Sequence, residues 1–221
     1  MSSTPNTTNS RQLNPHDFVP DLRAVIAITG AASRAGKTTA MEALIPILRH
    51  RGHRVTALKV TRTHIGDCPR MHPTCTTCND LAAPFQLITD EKRIQMPGKD
   101  TGRYSAAGAE QVLWLQAQPA DLTAGLRHAL SHVHAGHVLL GEGNSFREHA
   151  WADLTLMALG KNIQLKKSAQ RIVDKTTAWA CIPDGLKSAK KWLKETKRDK
   201  NMAFSTENWQ WLDSFLSKSG L

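Results

Sequence analysis

The sequence is poor in aromatic side chains: Phe, Trp and Tyr make up 5% of its 221 residues, with a single Tyr. Aliphatic side chains must therefore fill most of any core, and the 40% hydrophobic fraction suffices for one. Also missing is an uncharged apolar run of the roughly 18 residues that a membrane-crossing helix needs, so no membrane span is expected. Residues 1–10 are polar without an apolar stretch. That argues against an ordinary secretory signal and for a cytoplasmic protein. Residues 1–20, rich in Ser, Thr, Asn and Pro, are expected as a mobile tail. Cysteine is scarce, at four residues, and without a secretory signal a disulfide framework is not expected. Acidic residues are outnumbered, 19 against 29 Lys and Arg, for a formal charge of +10. Such a balance favours anionic partners, nucleotides first among them.

The length suits one domain with a short appendage. Residues 24–29 form an apolar run that ends at Gly30 and leads through a turn into a helix over 36–51. In that helix Met41, Leu44, Ile45 and Leu48 share one stripe. Further strands are expected at 55–60, 85–88, 112–116, 138–140, 153–159 and 178–182. Helices are expected at 101–109, 120–134 and 168–174. Strands alternating with helices predict an α/β fold: three layers, with a mostly parallel sheet between helices. Right-handed crossovers then bring the strand ends, and any ligand, to one edge. The resulting domain spans 21–185, with an insertion at 61–84. Beyond it, residues 186–221 read as a basic helical extension with helices at 186–197 and 207–216, the second capped by Ser205 or Thr206. Trp192, Phe204, Trp209, Trp211 and Leu212 are bulky enough to pack this extension onto the main domain. Its lysines, from Lys187 to Lys200, read most simply as a solvated face; nucleic acid is a less favoured partner.

The turn between the first strand and its helix carries the chemistry. Gly30, Ala31, Ser33, Arg34, Ala35, Gly36, Lys37, Thr38 and Thr39 lie along a stretch close to G-x-x-x-x-G-K-[ST], with Ala31 in the first position and Gly30 one place earlier. Backbone N–H groups of such a loop form an anion nest, and the helix that follows adds the positive end of its dipole. Lys37 is placed to reach the β- and γ-phosphates and Thr38 to ligate Mg²⁺ through its hydroxyl. An acid must support that ion. Glu142, at the end of the apolar run 138–140, is the first candidate; Asp100 and Asp67 are weaker ones. Lys37, Glu142 and Asp100 are therefore the expected catalytic set. Arg103 is a candidate contact to phosphate or to a neighbouring subunit.

A second constellation lies in the insertion. Cys68, Cys75 and Cys78 follow a C-x6-C-x2-C spacing, and a C-x2-C pair lets two thiolates from one turn grip one metal. His64 or His72 can supply a fourth ligand, which gives a zinc site; three cysteines and an outside ligand can equally hold an iron–sulfur cluster. Cys181 is a remote alternative ligand. A structural zinc site contributes about 10–16 kcal/mol in small peptides, ample to order a long polar loop that otherwise lacks periodicity.

Three segments resemble the MobB-like family, the molybdopterin-guanine dinucleotide biosynthesis protein B group within the SIMIBI class of P-loop NTPases. They are Ala35-Gly36-Lys37-Thr38-Thr39; Pro97-Gly98-Lys99-Asp100-Thr101 with Arg103 and Ala107-Gly108-Ala109; and Leu140-Gly141-Glu142-Gly143. The resemblance implies a GTP-binding, dimeric accessory protein that assists maturation of a molybdenum cofactor, working with a cofactor-synthesis enzyme or a cofactor precursor. The cysteine insertion and the sequence Gly143-Asn144-Ser145 depart from that family's pattern and mark a divergent branch. Asp184 is the candidate to read a guanine edge, but Ile182 and Pro183 before it depart from the guanine-binding motif, so GTP and ATP both stay open. Two other functions fit the same residues: a small-molecule kinase using the same loop, and a module that binds nucleic acid or a partner through its basic extension.

Overall fold

The computed structural model describes residues 12–63, 81 and 83–221, apart from the side chain of Trp209. Among the described residues, eight strands and eight α-helices follow one another: β1 (Ala24–Gly30), α1 (Lys37–His50), β2 (Val55–Arg62), β3 (Phe85–Ile88), α2 (Glu91–Ile94), α3 (Asp100–Ala106), β4 (Gln111–Ala117), α4 (Leu122–Leu130), β5 (Val138–Glu142), α5 (Asn144–His149), β6 (Leu154–Leu159), α6 (Lys167–Gln170), β7 (Ala178–Cys181), α7 (Leu186–Glu195), β8 (Ala203–Ser205) and α8 (Trp209–Lys218). The strands form one sheet in the order β3-β4-β2-β5-β1-β6-β7-β8. Every neighbouring pair is parallel except β3 against β4. The protein is thus α/β, a mostly parallel sheet flanked by helices, as its alternating pattern predicts.

The two faces follow from the two-residue period of strands. Ile26 and Ile28 of β1, Ala57 of β2 and Leu140 of β5 face a layer made by α1, α3 and α8. Val25 and Ala27, Leu58 and Leu139 face α4 and α5. Met157, Trp179 and Ala203 continue that second face under α6 and α7. β1 is buried along its whole length, as a central strand covered on both sides must be.

Several elements differ from the sequence expectation. Within the expected tail, residues 12–20 are docked: Leu13 bridges to Ala150, Leu13 and Val19 are buried, and the Gln12 side-chain amide donates to the Arg147 carbonyl at 2.6 Å. The extension 186–221 is more than helical. β8 pairs with β7, Phe204 stacks on Trp211 with centroids 4.5 Å apart, and Leu212, Phe215 and Leu216 join the core beside α1. Neither Ser205 nor Thr206 caps α8. Thr206 still belongs to the sheet edge, its N–H donating to the Cys181 carbonyl, and Asn208 takes the cap by accepting from the Trp211 N–H. The lysines of α7 line its solvent side, with Lys187, Lys190, Lys191 and Lys194 exposed and Ala189 and Leu193 buried. No helix among the described residues is long and apolar enough to cross a membrane.

If the extension is part of the core, Phe204→Ala will destabilise the whole protein by about 3–5 kcal/mol, the cost of emptying a buried aromatic site. Urea unfolding followed by circular dichroism checks this; a change under about 1 kcal/mol would make the extension an independent appendage.

Candidate functional site

Parallel strands deliver β1, β2 and β5 to one edge of the sheet, and the loop from Gly30 to α1 lies on it. Two residues in that loop adopt positive φ, Arg34 at 59° and Gly36 at 96°. Gly36 is the N-cap of α1, and neither a capping side chain nor an acid in the first turn occupies that helix end. Acidic residues are favoured there in most helices, so their absence leaves the helix end to an outside anion. The walls are small residues. A Cβ at Gly30 would sit 3.0 Å from Cγ of Lys37, so the Lys37 stem crosses directly over Gly30. Ala31 and Ala35 are buried, whereas Ser33, Arg34 and Thr39 are exposed.

Lys37 extends to Glu142, with Nζ 3.5 Å from Oε1. Glu142 ends β5 in register with Ile28 of β1 and Lys59 of β2. Its side chain is only 6% exposed, and three groups satisfy it: Lys37, Lys59 at 3.7 Å from Oε2, and the Tyr104 hydroxyl, which donates to Oε2 at 3.3 Å. Burial, reinforced by the charges of Glu142 and Asp100, pushes the Tyr104 phenol far up, so it remains a donor.

Asp100 opens α3 and faces both the loop and the sheet. Its Oδ1 accepts from the Thr38 hydroxyl at 3.0 Å, and its Oδ2 pairs with Lys59. Burial raises the Asp100 carboxyl, but the charge and hydrogen bond of Lys59, the Thr38 hydroxyl and Lys37 together outweigh it and hold the group below its ordinary value. The expected catalytic set Lys37, Glu142 and Asp100 is therefore one contiguous cluster, joined by Thr38.

The same edge has a second support. Asn144, the first residue of α5, accepts from the Gly30 N–H at 2.8 Å and donates to the Gly30 carbonyl at 3.1 Å. It thereby ties the strand carrying Glu142 to the start of the loop. Two glycines permit this. A Cβ at Gly141 would meet the Phe146 ring at 2.3 Å, and one at Gly143, at φ 130°, would meet the Val60 carbonyl oxygen at 2.9 Å. α5 can pack against β5 only because both side chains are absent.

Lys59, Tyr104 and Asn144 were missed by motif reading. A signal existed for Lys59: it is the one charged residue in the run 55–60. Tyr104 and Asn144 become visible only through the fold. The Arg103 guanidinium grips Glu42 of α1 through two bonds, of 2.7 and 2.5 Å, bracing α3 on α1. Asp184 follows β7 beside the loop, where Ile182 lies 3.4 Å from a Cβ built at Gly36; the Asp184 carboxylate is exposed and pairs with Lys161 at 3.1 Å. Cys181 cannot serve as a remote metal ligand as it stands. It is buried in the apolar cluster with Met157 and Trp179, and burial pushes its thiol up to about 12.

His64, Asp67, Cys68, His72, Cys75 and Cys78 lie outside the described residues. Among the described residues no group of three or more His, Cys, Asp or Glu is placed to hold a metal ion. Thr38, Asp100 and Glu142 do offer hard oxygen donors in one place, the kind that Mg²⁺ takes from one or two carboxylates alongside substrate phosphates.

Fold and site together define an α/β protein with a glycine-lysine-threonine loop at the carboxyl edge of a mostly parallel sheet, backed by two carboxylates. No protein-family model matches the chain, and the search of curated proteins returns no match.

Because the Asp100 carboxyl is held below its ordinary 3.8, its contribution to stability is present above that pH and is lost as pH falls through the lowered value. Asp100→Asn will therefore be less stable than wild type at pH 7, and the difference will shrink below pH 3.8. Thermal melts across pH check this; a gap independent of pH would mean that the charge of Asp100 is not what stabilises.

Proposed function

We propose that this chain is a Mg²⁺-dependent nucleotide-binding and -hydrolysing accessory protein in the assembly of a molybdopterin-type metallocofactor. The observation that carries the reading is the path of Lys37: it leaves an uncapped helix N-terminus behind a left-handed Gly36, crosses Gly30, and meets the buried carboxylate at the end of β5. A lysine stretched between a helix end and a strand-end acid is poised to exchange that acid for phosphate oxygens.

In this reading the backbone around Gly36 and the Lys37 ammonium bind the phosphates of GTP or ATP. Thr38, Asp100 and Glu142 would hold Mg²⁺, which neutralises charge building on the transferred phosphoryl group. Glu142, fixed by Tyr104 from below, also serves to orient an attacking water. The segment Pro97-Gly98-Lys99-Asp100, which carries the MobB-like resemblance, leads straight into α3 and sets Asp100 against Thr38. That placement supports the family reading over a phosphate loop of unspecified kind. The homodimer and a cofactor-synthesis partner belong to the same proposal.

The test is direct. Lys37→Ala is expected to weaken binding of GTP and ATP by about a hundredfold or more, since several charge-assisted hydrogen bonds vanish together. Isothermal titration calorimetry in Mg²⁺ checks this, and undiminished affinity would refute the reading. Release of free phosphate without an acceptor separates hydrolysis from a small-molecule kinase.

The cysteine insertion follows β2, whose C-terminal end shares the sheet edge with the phosphate loop. We propose that it holds zinc or an iron–sulfur cluster near the nucleotide. Elemental analysis of the purified protein is expected to find one of these metals, and Cys75→Ala with Cys78→Ala to remove it; full metal content in the double variant would end this part of the proposal.

A further inference from the structure

We propose that Lys59 reads the terminal phosphate of the bound nucleotide and so distinguishes triphosphate from diphosphate. The inference rests on the nucleotide-binding reading above and extends it to a residue outside the phosphate loop.

The position of Lys59 is unusual in itself. It belongs to β2, on the face where Ala57 enters the core, and its side chain is 17% exposed. A lysine on a core-facing strand position loses hydration and rotamer freedom, and it is retained only where anions compensate. Two do. Lys59 pairs with Asp100 Oδ2 and lies 3.7 Å from Glu142 Oε2. Lys37 holds the other oxygen of Glu142, so the two ammonium groups flank a single carboxylate. Through Asp100, Lys59 is also one carboxylate removed from the Thr38 hydroxyl. It therefore adjoins both the proposed metal ligands and the proposed phosphate lysine.

Charge balance then separates the roles. Lys37 and Lys59 neutralise Asp100 and Glu142 within the cluster. Replacing a magnesium diphosphate by a magnesium triphosphate adds negative charge at one point, the terminal phosphate. Phosphoryl-transfer sites place a further cation against that group in addition to the loop lysine. Lys59 is the cation outside the loop that pairs with both carboxylates of this site. Its backbone is fixed by ladders to β4 and β5, opposite Trp114 and Glu142, while its four-carbon stem leaves the ammonium free to swing from Asp100 to a phosphate oxygen. The swing also releases Asp100 toward the metal. With a diphosphate bound, Lys59 returns to its two carboxylates, so the ion pair itself records the state of the nucleotide.

The experiment compares affinities of the full-length protein, in Mg²⁺, for the β,γ-imido triphosphates of guanosine and adenosine against GDP and ADP, in wild type, Lys59→Met and Lys59→Arg. Wild type is expected to prefer the triphosphate form. Lys59→Met is expected to cut the triphosphate-to-diphosphate affinity ratio about tenfold, the worth of one charge-assisted hydrogen bond, and Lys59→Arg to keep most of it. A ratio unchanged in Lys59→Met, or equal losses on both nucleotides, overturns the role of Lys59 and leaves the nucleotide-binding reading standing. Wild type that binds none of the four nucleotides overturns both. Melting curves identify a variant that fails to fold; should Lys59→Met fail, Lys59→Gln, which removes the charge but keeps the polar head, takes its place, and a lowered ratio supports the role while an unchanged ratio contradicts it.

Discussion

The buried carboxylate of Glu142 is the constraint around which this edge of the molecule is arranged. A charge so withdrawn from water must be matched or neutralised, and here it is matched from three directions: α1 through Lys37, β2 through Lys59 and α3 through Tyr104. A shift of any one of the three has to be offset by another partner for the acid. The parallel register aligns Glu142 with Lys59 across β2 and β5, so backbone pairing alone brings the opposite charges into reach. The loop between β1 and α1 inherits its geometry from the same arrangement.

Around that acid the fold places small residues where approach must be close and bulky ones where elements must be locked. Gly141 admits the Phe146 ring and Gly143 passes the Val60 carbonyl, which lets α5 start at once after β5. The first residue of α5 then bonds both polar groups of Gly30. The strand bearing the acid and the strand entering the loop are thus joined twice, by the ladder and by a side-chain amide. Arg103 on Glu42 performs a similar service between α3 and α1.

Much of this was legible in the sequence. The apolar runs at 24–29 and 138–140 carry no charge because central parallel strands are covered on both sides, and such runs mark themselves. Gly36-Lys37-Thr38 marks by spacing alone the turn from β1 into α1. What escaped did so for physical reasons. β8 has three residues and α5 has six, too few for either period to register. Lys59, Tyr104 and Asn144 act through partners distant in the chain, and only the sheet order brings them together. The Arg103 pairing with Glu42 joins helices 61 residues apart in sequence, which no local spacing reveals.

The ends of the sheet carry a consequence of their own. Its two outermost strands are short, four residues in β3 and three in β8. Short borders leave few unpaired backbone groups on which a strand from another molecule could build. Two copies of this chain would gain little by merging their sheets into one continuous ribbon. Among the described residues, the broader surfaces for self-association are the side chains of the helical layers, and mutations there could alter an assembly while the edge that carries Lys37 and Glu142 is left intact.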